Sequence, residues 1–141
     1  GARIVKITGR LTVANFSKII ASLKAPVSAV ADLQCGLRRA DTRLFCATPE
    51  FLRQRLLPLK DQLNEPAKIW LEHLLARAIH AELSEGGTWR PLGEWPDYRG
   101  FSGTSGAPIT EPIHNNATTQ KIRTLRGVTS AGHLGNIRSY H

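Results

Sequence analysis

The apolar residues of this chain change spacing several times before residue 87 and then lose any period, which confines the fold to a mixed α/β one. Arg3-Ile4-Val5-Lys6-Ile7-Thr8 alternates in part and is rich in β-branched residues, so it predicts a strand, closed by Gly9. From Thr12 the spacing turns helical through Val13, Phe16, Ile19, Ile20 and Leu23, with Thr12 as N-cap and Pro26 just past the end. Val27, Ala29, Ala31, Leu33 and Cys35 then alternate with Ser28, Val30, Asp32 and Gln34. Gly36 to Asp41 reads as a turn carrying Arg38 and Arg39 at its tip, and Thr42 to Ala47 as the returning strand. The expectation is a 27–47 hairpin packed beside strand 3–8, with the helices on one face.

Thr48-Pro49-Glu50 is a helix start: a capping hydroxyl, a proline suited to the first position, and a carboxylate at the positive end of the dipole. Phe51, Leu52, Leu56 and Leu57 form its apolar side until Pro58 kinks or stops it, with a resumption over 59–64. Asn64-Glu65-Pro66 repeats the start signal ahead of Ile69, Trp70, Leu71, Leu74, Leu75, Ala78, Ile79 and Leu83, one broad apolar face ending at Gly86-Gly87. The result is an α+β fold with a ferredoxin-like split β-α-β-β-α arrangement and an additional long helix. The segments around Ile122–Leu125 and Val128 are the candidates for a fourth strand.

After Thr88 the composition shifts. Trp89, Trp95, Tyr98 and Phe101 crowd between prolines and glycines, and an aromatic linker of this kind is read as capping the core. Residues 102–141 show no period. The chain therefore divides into a 1–87 core domain and an 88–141 Gly/Pro/Thr/Asn-rich basic tail, extended or ordered by a partner. The sequence holds no methionine, at position 1 or elsewhere, and is expected to be a piece of a longer protein.

Charge is the main functional signal. The net charge is +8, and it is unevenly placed: residues 1–47 carry eight basic against two acidic side chains, 48–86 five against six, and 87–141 six against three. Basic flanks around a neutral middle point to a nucleic acid or an acidic protein surface as partner. Arg38, Arg39, Arg43 and Arg10 form the first predicted phosphate-binding group, and Lys121, Arg123 and Arg126 the second. Phe45 is the sole aromatic on the predicted strands, so base stacking on the sheet, as in RNA-recognition domains, is not expected.

Other chemistry has less to stand on. No apolar run reaches membrane-spanning length. Cys35 and Cys46 lack metal-ligand spacing and read as small core residues, consistent with a reducing, cytoplasmic setting. No cofactor or metal is implied. Phe101 to Pro108 superficially resembles the nucleophile stretch of chymotrypsin-like proteases, but His73 and His80 fall on a predicted helix and too little chain follows Ser105 to complete a barrel. His73 and His80, with Arg77 between them, read as a solvated or anion-facing edge. The leading expectation is a non-enzymatic domain that binds nucleic acid or assembles within a nucleoprotein particle. The alternatives are a metal-independent ribonuclease or toxin domain using His114, His133 and His141, and a protein–protein interaction module.

Overall fold

A computed structural model describes residues 1–23, 26–103 and 105–109. In chain order the strands are β1 (Ile4–Ile7), β2 (Leu11–Val13), β3 (Ala29–Val30), β4 (Leu33–Gln34), β5 (Arg39–Ala40), β6 (Leu44–Ala47), β7 (Trp89–Arg90) and β8 (Tyr98–Gly100). The helices are α1 (Phe16–Ser22), α2 (Pro49–Phe51) and α3 (Leu71–Ser84). The fold is mixed α+β.

The main sheet runs β1-β6-β3-β7. Strand β6 is antiparallel to both neighbours, with Ile4 opposite Ala47, Ile7 opposite Leu44 and Val30 opposite Cys46. Two ribbons flank the sheet, β2 with β8 and β4 with β5. All four residues of β6 are buried. Successive side chains on a strand point to opposite faces, so an uninterrupted Leu44-Phe45-Cys46-Ala47 run requires cover on both. Leu44 and Cys46 pack with Ile19, Val30, Leu92 and Tyr98. Phe45 and Ala47 pack with Phe51, Leu75, Ala76, Ala78 and Ile79. Helices α1 and α3 therefore lie on opposite faces, not on one as expected.

Strands β1, β3 and β6 follow the split strand–helix–strand pattern, β1 and β3 joined through α1 with β6 between them. The fourth strand departs from a ferredoxin-like sheet, in which it would lie beside β1. Here β7 lies beside β3 and parallel to it, Ala29 opposite Trp89. That strand comes from Trp89–Arg90; the alternative segments near Ile122 and Val128 lie outside the described residues. Packing runs across position 87, since Leu92 and Tyr98 are buried against the α1 face and Ile109 packs there too.

Three helix expectations change. Thr12 does not cap a helix: it lies in β2, opposite Arg99, and α1 begins after Asn15. Asn15 instead receives a hydrogen bond from the Asp97 amide (2.8 Å) and donates to the Trp95 carbonyl (2.7 Å), a long-range partnership no local pattern announces. Asn64-Glu65-Pro66 starts a turn, not a helix. Asn64 Oδ1 accepts from the Ala67 amide at 3.0 Å, Asn64 bridges to Ile69, and Lys68 stands at φ +57°, which right-handed helix excludes. Helix α3 starts at Leu71. Thr48 does cap α2, its Oγ1 accepting from the Phe51 amide at 3.1 Å. The chain then passes through one wide helical turn (Leu52–Leu56) into a tight one (Leu57–Gln62), so the missing N–H of Pro58 is absorbed without breaking the path.

Gly100 shows where a side chain is excluded. Its φ is +134°, and a Cβ there would meet the Arg10 carbonyl oxygen. Cys46 is in the core as expected, whereas Cys35 is only half-buried, at φ +53° in the β4–β5 turn. Both are free thiols. Leu71 is half-buried and Leu83 is 41% exposed, so the buried face of α3 is narrower than its apolar pattern predicts.

Leu75→Ala is therefore expected to cost about 2–5 kcal/mol in chemical denaturation, the range for emptying a fully enclosed leucine site. Leu83→Ala should stay within about ±0.5 kcal/mol. Equal losses at the two positions would contradict the assigned face.

Candidate functional site

The β4–β5 ribbon lies along α3, and this contact builds the site. Its turn is strained: Cys35, Gly36 and Leu37 all have positive φ, at 53°, 64° and 65°. Left-handed backbone costs a non-glycine residue roughly 1–2 kcal/mol, so the turn needs outside support. His80 on α3 supplies some, its Nε2 bonding the Leu37 carbonyl at 2.8 Å. Arg38 follows, exposed, with Nε 3.4 Å from the Cys35 carbonyl. Arg39 then enters β5 opposite Gln34, and its guanidinium lies over the indole of Trp70, 5.3 Å from the ring centroid.

Trp70 caps α3 from an extended conformation and is 37% exposed. With Arg39, Leu63, Glu65, Leu71 and Glu72 it lines an open groove of about 800 Å³. The groove combines an aromatic face, an apolar wall, one cation and two carboxylates. Behind it sits a polar cluster on the α3 side of the sheet. Glu72 Oε1 accepts from the Thr42 hydroxyl at 2.9 Å. Lys6 Nζ donates to Thr8 Oγ1 at 2.9 Å and to the Thr42 carbonyl. Burial pulls the Lys6 ammonium below the usual lysine range, and the carboxylates of Glu72 and Asp41 oppose that pull.

Four of the seven predicted contact residues lie among the described residues, and the structure does not bring all four to the groove. Arg39 lines the groove and Arg38 adjoins it on the ribbon turn. Arg43 is engaged elsewhere: its guanidinium holds Asp41 at 2.7 Å and lies 4.3 Å from the centroid of the Tyr98 ring. Arg10 is exposed in the β1–β2 turn and does not line the groove. Lys121, Arg123 and Arg126, like His114, His133 and His141, lie outside the described residues. Among the described residues, Arg3 also serves the fold, donating to the Leu23 carbonyl at 2.7 Å. Sequence reasoning missed Trp70 and Glu72 as groove neighbours of Arg39, and the coupling of Lys6 to Glu72 and Asp41. The early lysine inside a strand pattern and the aspartate before Thr42 were the available signals, but neither names a partner on α3.

No group of three or more metal-ligating side chains occurs among the described residues, and no helix there is long and apolar enough to cross a membrane. No family model matches this chain, and neither a curated protein nor a solved structure matches it.

His73 reports on the groove's electrostatics. Its ring lies 5.6 Å from that of Trp70, and its Nδ1 accepts from the Trp70 amide at 3.2 Å. Burial lowers the imidazole's proton affinity, the Arg39 charge lowers it further, Glu72 acts in the opposite sense, and Arg77 and Arg38 add to the lowering. A depressed folded-state value means that the unfolded chain binds the proton more tightly. This contribution to stability is therefore complete above the ordinary imidazole value of about 6.5 and is lost as pH falls through the folded value. In an NMR titration, His73 should titrate below about 6.5, and Arg39→Ala should raise its midpoint. An unmoved midpoint would place Arg39 away from the start of α3.

Proposed function

We propose that this chain is a non-enzymatic domain that binds nucleic acid, alone or within a larger nucleoprotein assembly. The observation that supports this most is the pairing of the half-buried Arg39 with the exposed ring of Trp70, beside the exposed Arg38. Guanidinium groups meet phosphate oxygens bidentately, and an exposed indole offers a face on which any base can stack. Charge alone would suit an acidic protein equally well; the aromatic face next to the cations favours nucleic acid. In the same reading, the basic segment with Lys121, Arg123 and Arg126 adds phosphate contacts, the β1–α1–β3–β6 portion is a ferredoxin-like half used as scaffold, and the setting is a reducing, cytoplasmic one.

The test is retention of labelled RNA and DNA across a salt series, with an acidic polypeptide as competitor. Arg38→Ala and Arg39→Ala should each weaken binding and reduce the log–log salt slope by roughly 0.7–0.9 per lost phosphate contact, the lower figure for single strands. Failure to bind either nucleic acid at low salt would overturn the reading in favour of a protein–protein module.

A further inference from the structure

We propose that the Arg39–Trp70 groove is a nucleobase site for single-stranded nucleic acid, and that Glu72 makes it prefer guanine. This inference rests on the nucleic-acid reading above and narrows it. The groove's composition carries the argument, because its parts suit different pieces of one nucleotide. Trp70, Leu63 and Leu71 give an aromatic and apolar wall, while Arg39 gives a cation and Glu65 and Glu72 give two carboxylates. A duplex would bring a line of phosphates against those carboxylates and keep its bases stacked away from the indole. A single strand can turn one base inward onto Trp70 and leave its phosphate with the arginines.

Arg39 fits a movable role. At 5.3 Å from the ring centroid its guanidinium lies near the outer range of cation–π contact, which is weak at exposed sites. Leaving the ring for a phosphate therefore costs little and bares the indole face for a base. Arg38 next in the chain can take the same or the adjoining phosphate. His73, its ring 5.6 Å from that of Trp70, has its proton affinity lowered by burial and by Arg39.

Glu72 supplies the selectivity. It is held before any ligand arrives: Thr42 Oγ1 donates to its Oε1 at 2.9 Å, and the ammonium of Lys6 lies close enough to feel its charge. An ionised carboxylate only accepts hydrogen bonds, with two oxygens side by side. Guanine alone among the bases presents two adjacent donors, the ring N1–H and the N2 amino group, on its Watson–Crick edge. Adenine and cytosine offer one amino group beside an acceptor, and uracil one N–H between two carbonyls that would face the carboxylate with like charge. Glu65 lies in the Asn64–Ile69 turn and is exposed, so it is the less fixed of the two.

The experiment uses the full chain and four probes: an RNA octamer of uridines with one central guanine, the same with inosine (which lacks the N2 amino group), the all-uridine octamer, and a duplex of equal length. Indole fluorescence and anisotropy report binding. The guanine octamer should bind about tenfold or more tighter than the all-uridine one, the size of one bidentate base contact, with inosine between them. Glu72→Gln keeps the acceptor for Thr42 and should abolish the guanine preference, so that the guanine and all-uridine octamers bind equally. Trp70→Leu should weaken all single strands roughly tenfold, as loss of one stacked base does, and leave the duplex unaffected. Equal binding of all four probes, unchanged by Trp70→Leu, would overturn the base site and leave the phosphate-binding reading standing. A guanine preference that persists in Glu72→Gln would overturn the role of Glu72. Binding to none of the probes at low salt would overturn both readings together.

Discussion

Everything in this fold is arranged around the two-sided burial of β6. Four consecutive apolar residues in the centre of a sheet cannot leave either face to solvent, so α1 with the β2–β8 ribbon covers one side and α3 covers the other. Burying a leucine or phenylalanine side chain is worth roughly 1.5–3 kcal/mol, and β6 contributes one of each to opposite cores. Strand β7 then protects the β3 edge of the sheet. The segment after residue 87 is thus used to finish the layers that the first half begins.

The same strand's approach sets up the groove. Just before β6, Asp41 and Thr42 are buried polar residues, and both are answered. Asp41 holds the Arg43 side chain and accepts from the Arg43 amide at 3.0 Å; Thr42 ties Lys6 on β1 to Glu72 on α3. Buried polar groups are tolerated when their hydrogen bonds are made, and these bonds fix the relative position of the sheet and the first turn of α3. Arg39 and Trp70 are carried by the two ends of that link. The stability of the core and the shape of the groove therefore share residues, which is why Glu72 can be both a structural acceptor and an oriented carboxylate.

Local signals were legible and distant ones were not. Strand 3–8, the 27–47 hairpin, the Thr48 cap and the long helix could be read from period and capping chemistry, because those effects act within a few residues. The β2–β8 pairing, the seat of Asn15 against residues 95–97 and the parallel β7 depend on partners more than fifty residues away. The helices' placement on opposite faces was written in the apolar run 44–47, whose lack of alternation is the mark of a strand covered twice. Of the predicted contact residues, Arg39 lines the groove and Arg38 is exposed beside it, while Arg43 pairs with Asp41. Charge counts cannot separate the two uses, since an arginine over Tyr98 and an arginine over Trp70 look alike in sequence.

On the nucleic-acid reading proposed above, the ligand meets this protein at the junction of the β4–β5 ribbon and the start of α3. An amide and indole chemical-shift map, recorded while a short single-stranded oligonucleotide is added, tests it most directly. The Trp70 indole N–H, the amides of Arg38 to Ala40 and those of the first turn of α3 should then move together along one titration curve. Shifts confined to other surfaces, such as Arg10 or the Arg3–Arg90 side of the sheet, with Trp70 stationary at saturation, would contradict it.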